Sequence, residues 1–216
     1  MNEQGLIIGV PKEILSGENR VAAIPETVRK LAAKGASVLI EKGAGEGSHY
    51  NDASYREAGA EIVEDVEDIY LRSALILKVK EPKFNAAKGC HEVDMMHRGQ
   101  YLVTFLHPAS PGNYEMVKKL AGQGVISLTL DSIPRISRAQ SMDALTSMST
   151  VAGYKGVLMA ANLLPKFIPM MGVAAGMIKP ARVLVVGTGV AGLQAIATAK
   201  RLGAVVSGAD IRQDAC

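Results

Sequence analysis

The run Arg182-Val183-Leu184-Val185-Val186 passes without a loop into Gly187-Thr188-Gly189-Val190-Ala191-Gly192, and no other stretch of the chain restricts its fold so tightly. A β-branched strand that stops at a G-x-G-x-x-G turn is expected to continue into a helix whose first amides point at an anion. Leu193 to Leu202 supplies that helix and Gly203 ends it. Ala204-Val205-Val206 then opens a second strand that reaches Asp210, 18 residues after Gly192. Gly187 allows the tight turn, Gly189 lets main-chain amides approach a pyrophosphate, and Gly192 lets the helix pack on the strand. A carboxylate roughly 20 residues past the glycines suits ribose hydroxyls. Gly187, Gly189, Val190, Gly192 and Asp210 are therefore candidate binding residues for a dinucleotide. Asp210 favours NAD(H), since it repels a 2′-phosphate, although Arg212 is of the type that accepts one.

Upstream, short apolar runs alternate with helical spacing. Leu6 to Val10, Val38 to Ile40, Ala74 to Val79, Tyr101 to Leu106 and Val125 to Leu130 read as strands. Pro25 to Lys34, Ala53 to Ala58, Val66 to Leu71 and Tyr114 to Leu120 read as helices. This pattern predicts an α/β chain with two Rossmann-like parallel-sheet domains, the second cut short after its first βαβ unit. The expected division is an N-terminal α/β domain over 1–143, a connecting helix over 144–166 and an incomplete nucleotide domain over 167–216. The polar stretch Asp131 to Ser149 reads as a loop leading into that helix.

With 216 residues, 48% hydrophobic and 21% charged, the chain can bury a core, and a net charge of +3 without a basic tail argues against a nucleic-acid partner. Val157 to Ile178 is long enough to span a bilayer, but Asn162, Pro165, Lys166 and Pro169 interrupt it. It is read as a buried helix followed by an apolar loop. Cys90 and Cys216 form no disulfide framework and no metal-ligand pattern, which places the chain in a reducing, cytoplasmic compartment. His49, His91 and His97 lack neighbours at metal-ligand spacing, so no metal site is expected.

The segment Asp131-Ser132-Ile133-Pro134-Arg135-Ile136-Ser137-Arg138-Ala139-Gln140-Ser141-Met142-Asp143-Ala144-Leu145, followed by Ala152-Gly153-Tyr154 and by Val190 to Val206, resembles the alpha subunits of the proton-translocating NAD(P) transhydrogenases. The likeness covers essentially the whole chain. It implies that the polar loop lies over the nicotinamide of bound NAD(H), with Arg135, Gln140 and Asp143 as functional residues and Thr146 where the family often has serine. It also implies direct hydride passage to NADP⁺ on a partner domain, and partner subunits that bind NADP(H) and span the membrane. A homodimer or higher homo-oligomer, peripheral at the inner face of the plasma membrane, follows from the same likeness. From residue types alone, Arg135 and Asp143 could pair and Gln140 could hold a carboxamide or ribose, while a bland solvated loop would explain the same polarity.

A second set points elsewhere. Arg20, Lys80 and His107 each follow a strand, where open parallel sheets bind ligands. Lys80-Glu81-Pro82 and Phe105-Leu106-His107 resemble alanine dehydrogenase, a relative in which the matching Arg and Lys hold pyruvate and the His moves a proton. Two alternatives to the transhydrogenase reading thus stay open: an alanine dehydrogenase, and a catalytically silent nucleotide-binding fragment. The short nucleotide unit is also expected to leave Val183 to Val186, Val205 and Val206 poorly covered.

Overall fold

The computed structural model describes residues 5–134 and 136–213. They divide into two units, Met1–Ile133 and Pro134–Cys216. The first is built on β1 (Ile7–Val10), β2 (Ser37–Glu41), β3 (Glu61–Val63), β4 (Leu75–Leu77), β7 (Tyr101–Thr104) and β8 (Ile126–Thr129). These run parallel in the order β3-β2-β1-β4-β7-β8. A small antiparallel pair, β5 (Phe84–Asn85) and β6 (Cys90–His91), lies between β4 and β7 in sequence.

Helices α1 (Pro25–Ala33), α2 (Asp52–Glu57), α3 (Val66–Arg72) and α4 (Tyr114–Gln123) connect the strands. Pro25 starts α1 where its missing amide costs nothing, Asn51 caps α2 by accepting from Ser54 N, and Asp65 caps α3 by accepting from Glu67 N. Side chains alternate across the sheet. Val38 and Ile40 join Val10, Val28 and Tyr55 in one core, while Leu39 joins Ile69, Tyr70, Ile76, Leu102 and Leu120 in the other. The apolar runs read from sequence are thus buried from both sides, as parallel sheets require. Each large aliphatic residue so enclosed contributes about 1.5–3 kcal/mol.

Chain order reverses at β1. Successive strands step from β1 to β2 to β3, then return to β4 on the other side of β1 and continue to β7 and β8. The crevice beyond the C-terminal ends of β1 and β4 is therefore a topological switch point.

Two strands are shorter than their apolar runs suggest, and the reason is side-chain competition. The amide of Val79, next but one after β4, donates to the Glu13 carboxylate, and the amide of Leu106, beyond β7, donates to Asp131. Once carboxylates take these donors, the ladder ends.

The second unit contains α5 (Ala144–Leu163), the antiparallel hairpin β9 (Met171–Val173) and β10 (Gly176–Ile178), and the parallel pair β11 (Arg182–Val186) and β12 (Val205–Ala209) linked by α6 (Val190–Arg201). Sequence reading had no hairpin here and expected α5 to be buried. Instead Gly153 is the buried residue of α5, and Val151, Met159 and Leu163 are exposed, Leu163 by 79%. Apolar residues surround the helix on all sides, so one stripe packs on α6 and the rest face outward. Among the described residues no helix is long and apolar enough to cross a membrane.

Candidate functional site

The glycine turn of the second unit has the geometry its spacing predicts. Gly187 has φ +92°, a left-handed conformation that side chains resist, and its amide donates to Ala209 O at 2.7 Å. A Cβ on Gly192 would overlap the Gly187 carbonyl oxygen, so only glycine lets α6 start this close to β11. Gly153 of α5 is under the same constraint, since a Cβ there would overlap the Ala191 carbonyl oxygen. Gly189 is the N-cap of α6 and no side chain caps the helix, nor does an acidic residue occupy its first turn. The first amides of α6 therefore retain their attraction for an anion.

Asp210 sits at the end of β12 with its carboxylate turned into this loop. It accepts from Thr188 N at 2.7 Å and Thr188 Oγ1 at 3.3 Å, and from Arg212 N, Nε and Nη2 at 2.9, 3.2 and 3.3 Å. Arg212 first, and then the Thr188 amide, hold its carboxyl well below the usual carboxylate range. Two features expected from the sequence thus meet in one ion pair: the ribose-type carboxylate and the arginine that could favour a 2′-phosphate.

The polar loop forms a 3-10 turn over Ser137–Met142 and runs into α5. Asp143 caps α5, accepting from Thr146 N at 2.9 Å and Thr146 Oγ1 at 2.6 Å. Gln140, Asp143 and Thr146 line a cavity of about 400 Å³ together with Pro134, Ile136 and Val190 of the glycine turn. Residues 50 positions apart in sequence are thereby gathered at one place within the second unit. Arg135, also assigned to this site, lies outside the described residues. Thr146 further borders an open cleft of about 610 Å³ that reaches Gly187, Gly189 and Gly192.

In the first unit the switch point is occupied by charge. Arg20 lines a cavity of about 200 Å³ with Lys12, Glu13, Glu18 and Glu46, and its guanidinium is paired with Glu18. Glu13 links this cavity to Lys80, because its carboxylate accepts from Val79 N at 2.5 Å and Lys80 N at 3.3 Å. Lys80 and His107 are not among the cavity's described lining residues. Beneath the segment lies an ionic cluster whose side chains are 1–3% exposed: Lys78 Nζ is 2.8 Å from Glu92 Oε1 and 3.4 Å from Glu13 Oε2, and Tyr70 Oη donates to Glu92 at 2.9 Å. Burial pulls the Lys78 ammonium down, but Glu92 and Glu13 together keep it above its ordinary value. Glu92 also accepts from Lys83 N at 2.9 Å, so the main chain from Val79 to Lys83 is strapped to two buried carboxylates.

The family model described as "Alanine dehydrogenase/PNT, N-terminal domain" matches residues 9–152. The chain belongs to the alanine dehydrogenase/PNT family. The companion C-terminal domain model of the alanine dehydrogenase/PNT family matches residues 156–216. Within the family, an NAD(P) transhydrogenase subunit alpha of Rhodospirillum rubrum is 44% identical over 95% of this chain and 53% of its own length. An alanine dehydrogenase of Methanococcus maripaludis is 35% identical over 95% of this chain and 53% of its own. The crystal structure of transhydrogenase from Sinorhizobium meliloti superposes with a TM-score of 0.87 at 41% identity, covering 97% of this chain and 57% of that one. The chain spans about half the length of the curated relatives it matches.

Several residues of this family member escaped sequence reasoning. Lys78 lies in what reads as an apolar strand, and Glu13 and Glu92 are 65 and 14 positions from it, so no local pattern joins them. Asp131 opens the polar loop, and its contacts with Leu106 and His107 are equally non-local. The capping role of Asp143 was detectable, since aspartate three residues before threonine at a helix start is a capping pattern.

Proposed function

We propose that the chain is the NAD(H)-binding part of an NAD(P) transhydrogenase alpha subunit, passing hydride between NADH and NADP⁺ held by a partner. The single observation that carries this reading is the cavity that joins Gln140, Asp143 and Thr146 to Val190 of the glycine turn. The uncapped start of α6 and the space beside Gly189, whose nearest outside atom to a Cβ is Arg212 Nη2 at 3.9 Å, suit a pyrophosphate that needs main-chain amides. When bound, the nicotinamide ring supplies the hydride. The chain's own task is orientation: Gln140 and Arg135 hold the carboxamide or ribose, and Asp143 sets the start of α5 and the position of Thr146. Asp210 takes the ribose hydroxyls once Arg212 gives way, which disfavours NADPH. The partners are NADP(H)-binding and membrane-spanning subunits, the assembly contains at least two copies of the chain, and its place is the cytoplasmic face of the plasma membrane.

Gly189→Val tests the reading. At φ −70° any residue fits, so the fold is kept while the side chain blocks the pyrophosphate. NADH titration should then weaken by at least about 100-fold relative to the unmodified chain, which itself prefers NADH to NADPH by roughly tenfold or more. Equal affinity of the variant and the parent would remove the glycine turn from nucleotide binding.

A second reading, alanine dehydrogenase, is favoured by Arg20 and the Lys80 amide sharing Glu13 at the switch point of the first unit. Oxidation of NADH on addition of pyruvate and ammonia distinguishes it from the first.

A further inference from the structure

His107 follows β7 and is held at every point but one. Its backbone has φ +46°, a left-handed conformation unusual for a residue with a side chain. Asp131 Oδ2 fixes that conformation by accepting from Leu106 N at 3.0 Å and His107 N at 2.8 Å, and it also accepts from Thr129 Oγ1 at 2.5 Å. Asn113, itself buried, donates to Leu106 O at 3.0 Å and His107 O at 3.4 Å. The imidazole stacks on Phe105 with ring centroids 6.0 Å apart and planes inclined by 12°. Its Nδ1 lies 2.7 Å from Asp131 Oδ1. Among the described residues Nε2 has no partner, and the side chain is 39% exposed. Backbone strain of this kind persists only where the surroundings enforce it, and it gathers at functional sites.

We infer that Asp131 is a positioning residue that locks neutral His107 as its Nδ1–H tautomer and presents an unprotonated Nε2 at the C-terminal edge of the first unit's sheet, ready to accept a proton from a hydroxyl or ammonium group of a small bound molecule. In that step the O–H or N–H bond of the molecule breaks, an Nε2–H bond forms, and the positive charge gained by the ring rests against the Asp131 carboxylate. The carboxylate can serve in this way because it stays ionised. Burial pushes it up, but the hydrogen bonds from Thr129, His107 and Leu106 and the nearby imidazole outweigh that and hold it below its ordinary value. The dyad lies wholly in the first unit and owes nothing to the nucleotide site.

Asp131→Asn gives a specific outcome. Oδ2 faces three donors, so an asparagine must place its oxygen there and turn its NH₂ toward Nδ1. The imidazole can then only accept at Nδ1, and the proton moves to Nε2. Long-range ¹H–¹⁵N spectra of the ¹⁵N-labelled full chain at mildly alkaline pH read this directly, with the His107 signals identified as those that His107→Gln removes. The parent chain should show Nδ1–H over Nε2–H by at least about tenfold, as a charge-assisted hydrogen bond provides, and Asp131→Asn should invert the ratio. A merely structural role would loosen the fold without exchanging the two nitrogens. An Nε2–H tautomer in the parent overturns the inference even if the variant does not fold. An unchanged tautomer in a folded variant overturns it as well.

Discussion

Ile40, Ile76 and Leu102 of the first unit are fully buried, whereas Leu184 and Val186 of the second are 66% and 82% exposed. The residues are of one kind and both sheets are parallel. The difference is the number of neighbours. In the first unit each central strand has a strand on both sides and a core on both faces. In the second, β11 pairs only with β12, and α6 covers one face, so Val183 and Val185 are half-buried and their alternating neighbours are not. A continuous apolar run therefore records the environment a strand is built for, and a described unit with fewer layers leaves part of that run uncovered. The same contrast holds for polar groups. The first unit encloses a buried ion cluster, while the second keeps its charges at the rim of the glycine turn.

The largest effect that would break this comparison is expected at Lys78. Lys78→Met leaves Glu92 and Glu13 buried side by side without their cation, and removing one partner of such a cluster costs about 3–5 kcal/mol. Denaturant unfolding followed by tyrosine fluorescence should report that loss, because all but Tyr154 of the six tyrosines belong to the first unit. A loss under about 1 kcal/mol would mean that the cluster is solvated in a way its 1–3% exposure does not suggest.

Much of the fold was readable because it is local. The glycine turn, the strand before it and the helix after it lie within 25 residues, and each is specified by its own residue types. The β1-to-β3 and β4-to-β8 strands were likewise marked by apolar runs between turn residues. Other features depend on groups far apart in the chain. Nothing near Lys78 announces that Glu13 will cross to it, and the left-handed conformation of His107 depends on an aspartate 24 positions later. The β9–β10 hairpin was missed because Pro165, Pro169 and the glycines punctuate an apolar stretch without the alternation that marks a strand. Gathering of the polar loop at Val190 is also tertiary. Sequence placed the residues of the candidate site on separate elements, and packing of α5 against α6 through Gly153 brings them together.

Two helical glycines sharpen the comparison with an effect of middle size. Gly153→Ala in the second unit drives a methyl group into the Ala191 carbonyl, and such overpacking typically costs about 1–3 kcal/mol. Gly122→Ala in α4 of the first unit meets no atom within 4 Å, and there the lost backbone freedom of the unfolded chain stabilises by about 0.4–1 kcal/mol. Hydrogen exchange resolved by segment should therefore move in opposite directions, with α5 and α6 amides opening sooner in the first variant and α4 amides opening later in the second. Parallel shifts would show that α5 and α6 do not meet at Gly153.

The finest comparison is between the two carboxylates that anchor loops by accepting main-chain amides. Glu13 holds Val79 and Lys80 from within the ion cluster, and burial raises its carboxyl above the ordinary value, with Lys78 and the Val79 amide only partly opposing the shift. Asp210 holds Thr188 and is covered mainly by its own donors, so hydrogen bonds lower it. The signs of the linked stability differ accordingly. A raised Glu13 contributes fully below its unfolded value and loses that contribution as the pH rises through its folded value. A lowered Asp210 contributes above its unfolded value and loses that contribution only as the pH falls through its folded value. Each carboxylate can be followed through the amide that donates to it. Over about pH 3 to 7, where model carboxylates titrate, the Val79 amide proton should shift with a midpoint above the usual glutamate value. The Thr188 amide should show no inflection across the usual aspartate range. If the two midpoints coincide, the burial that separates the first unit from the second does not reach the loops that carry the candidate sites.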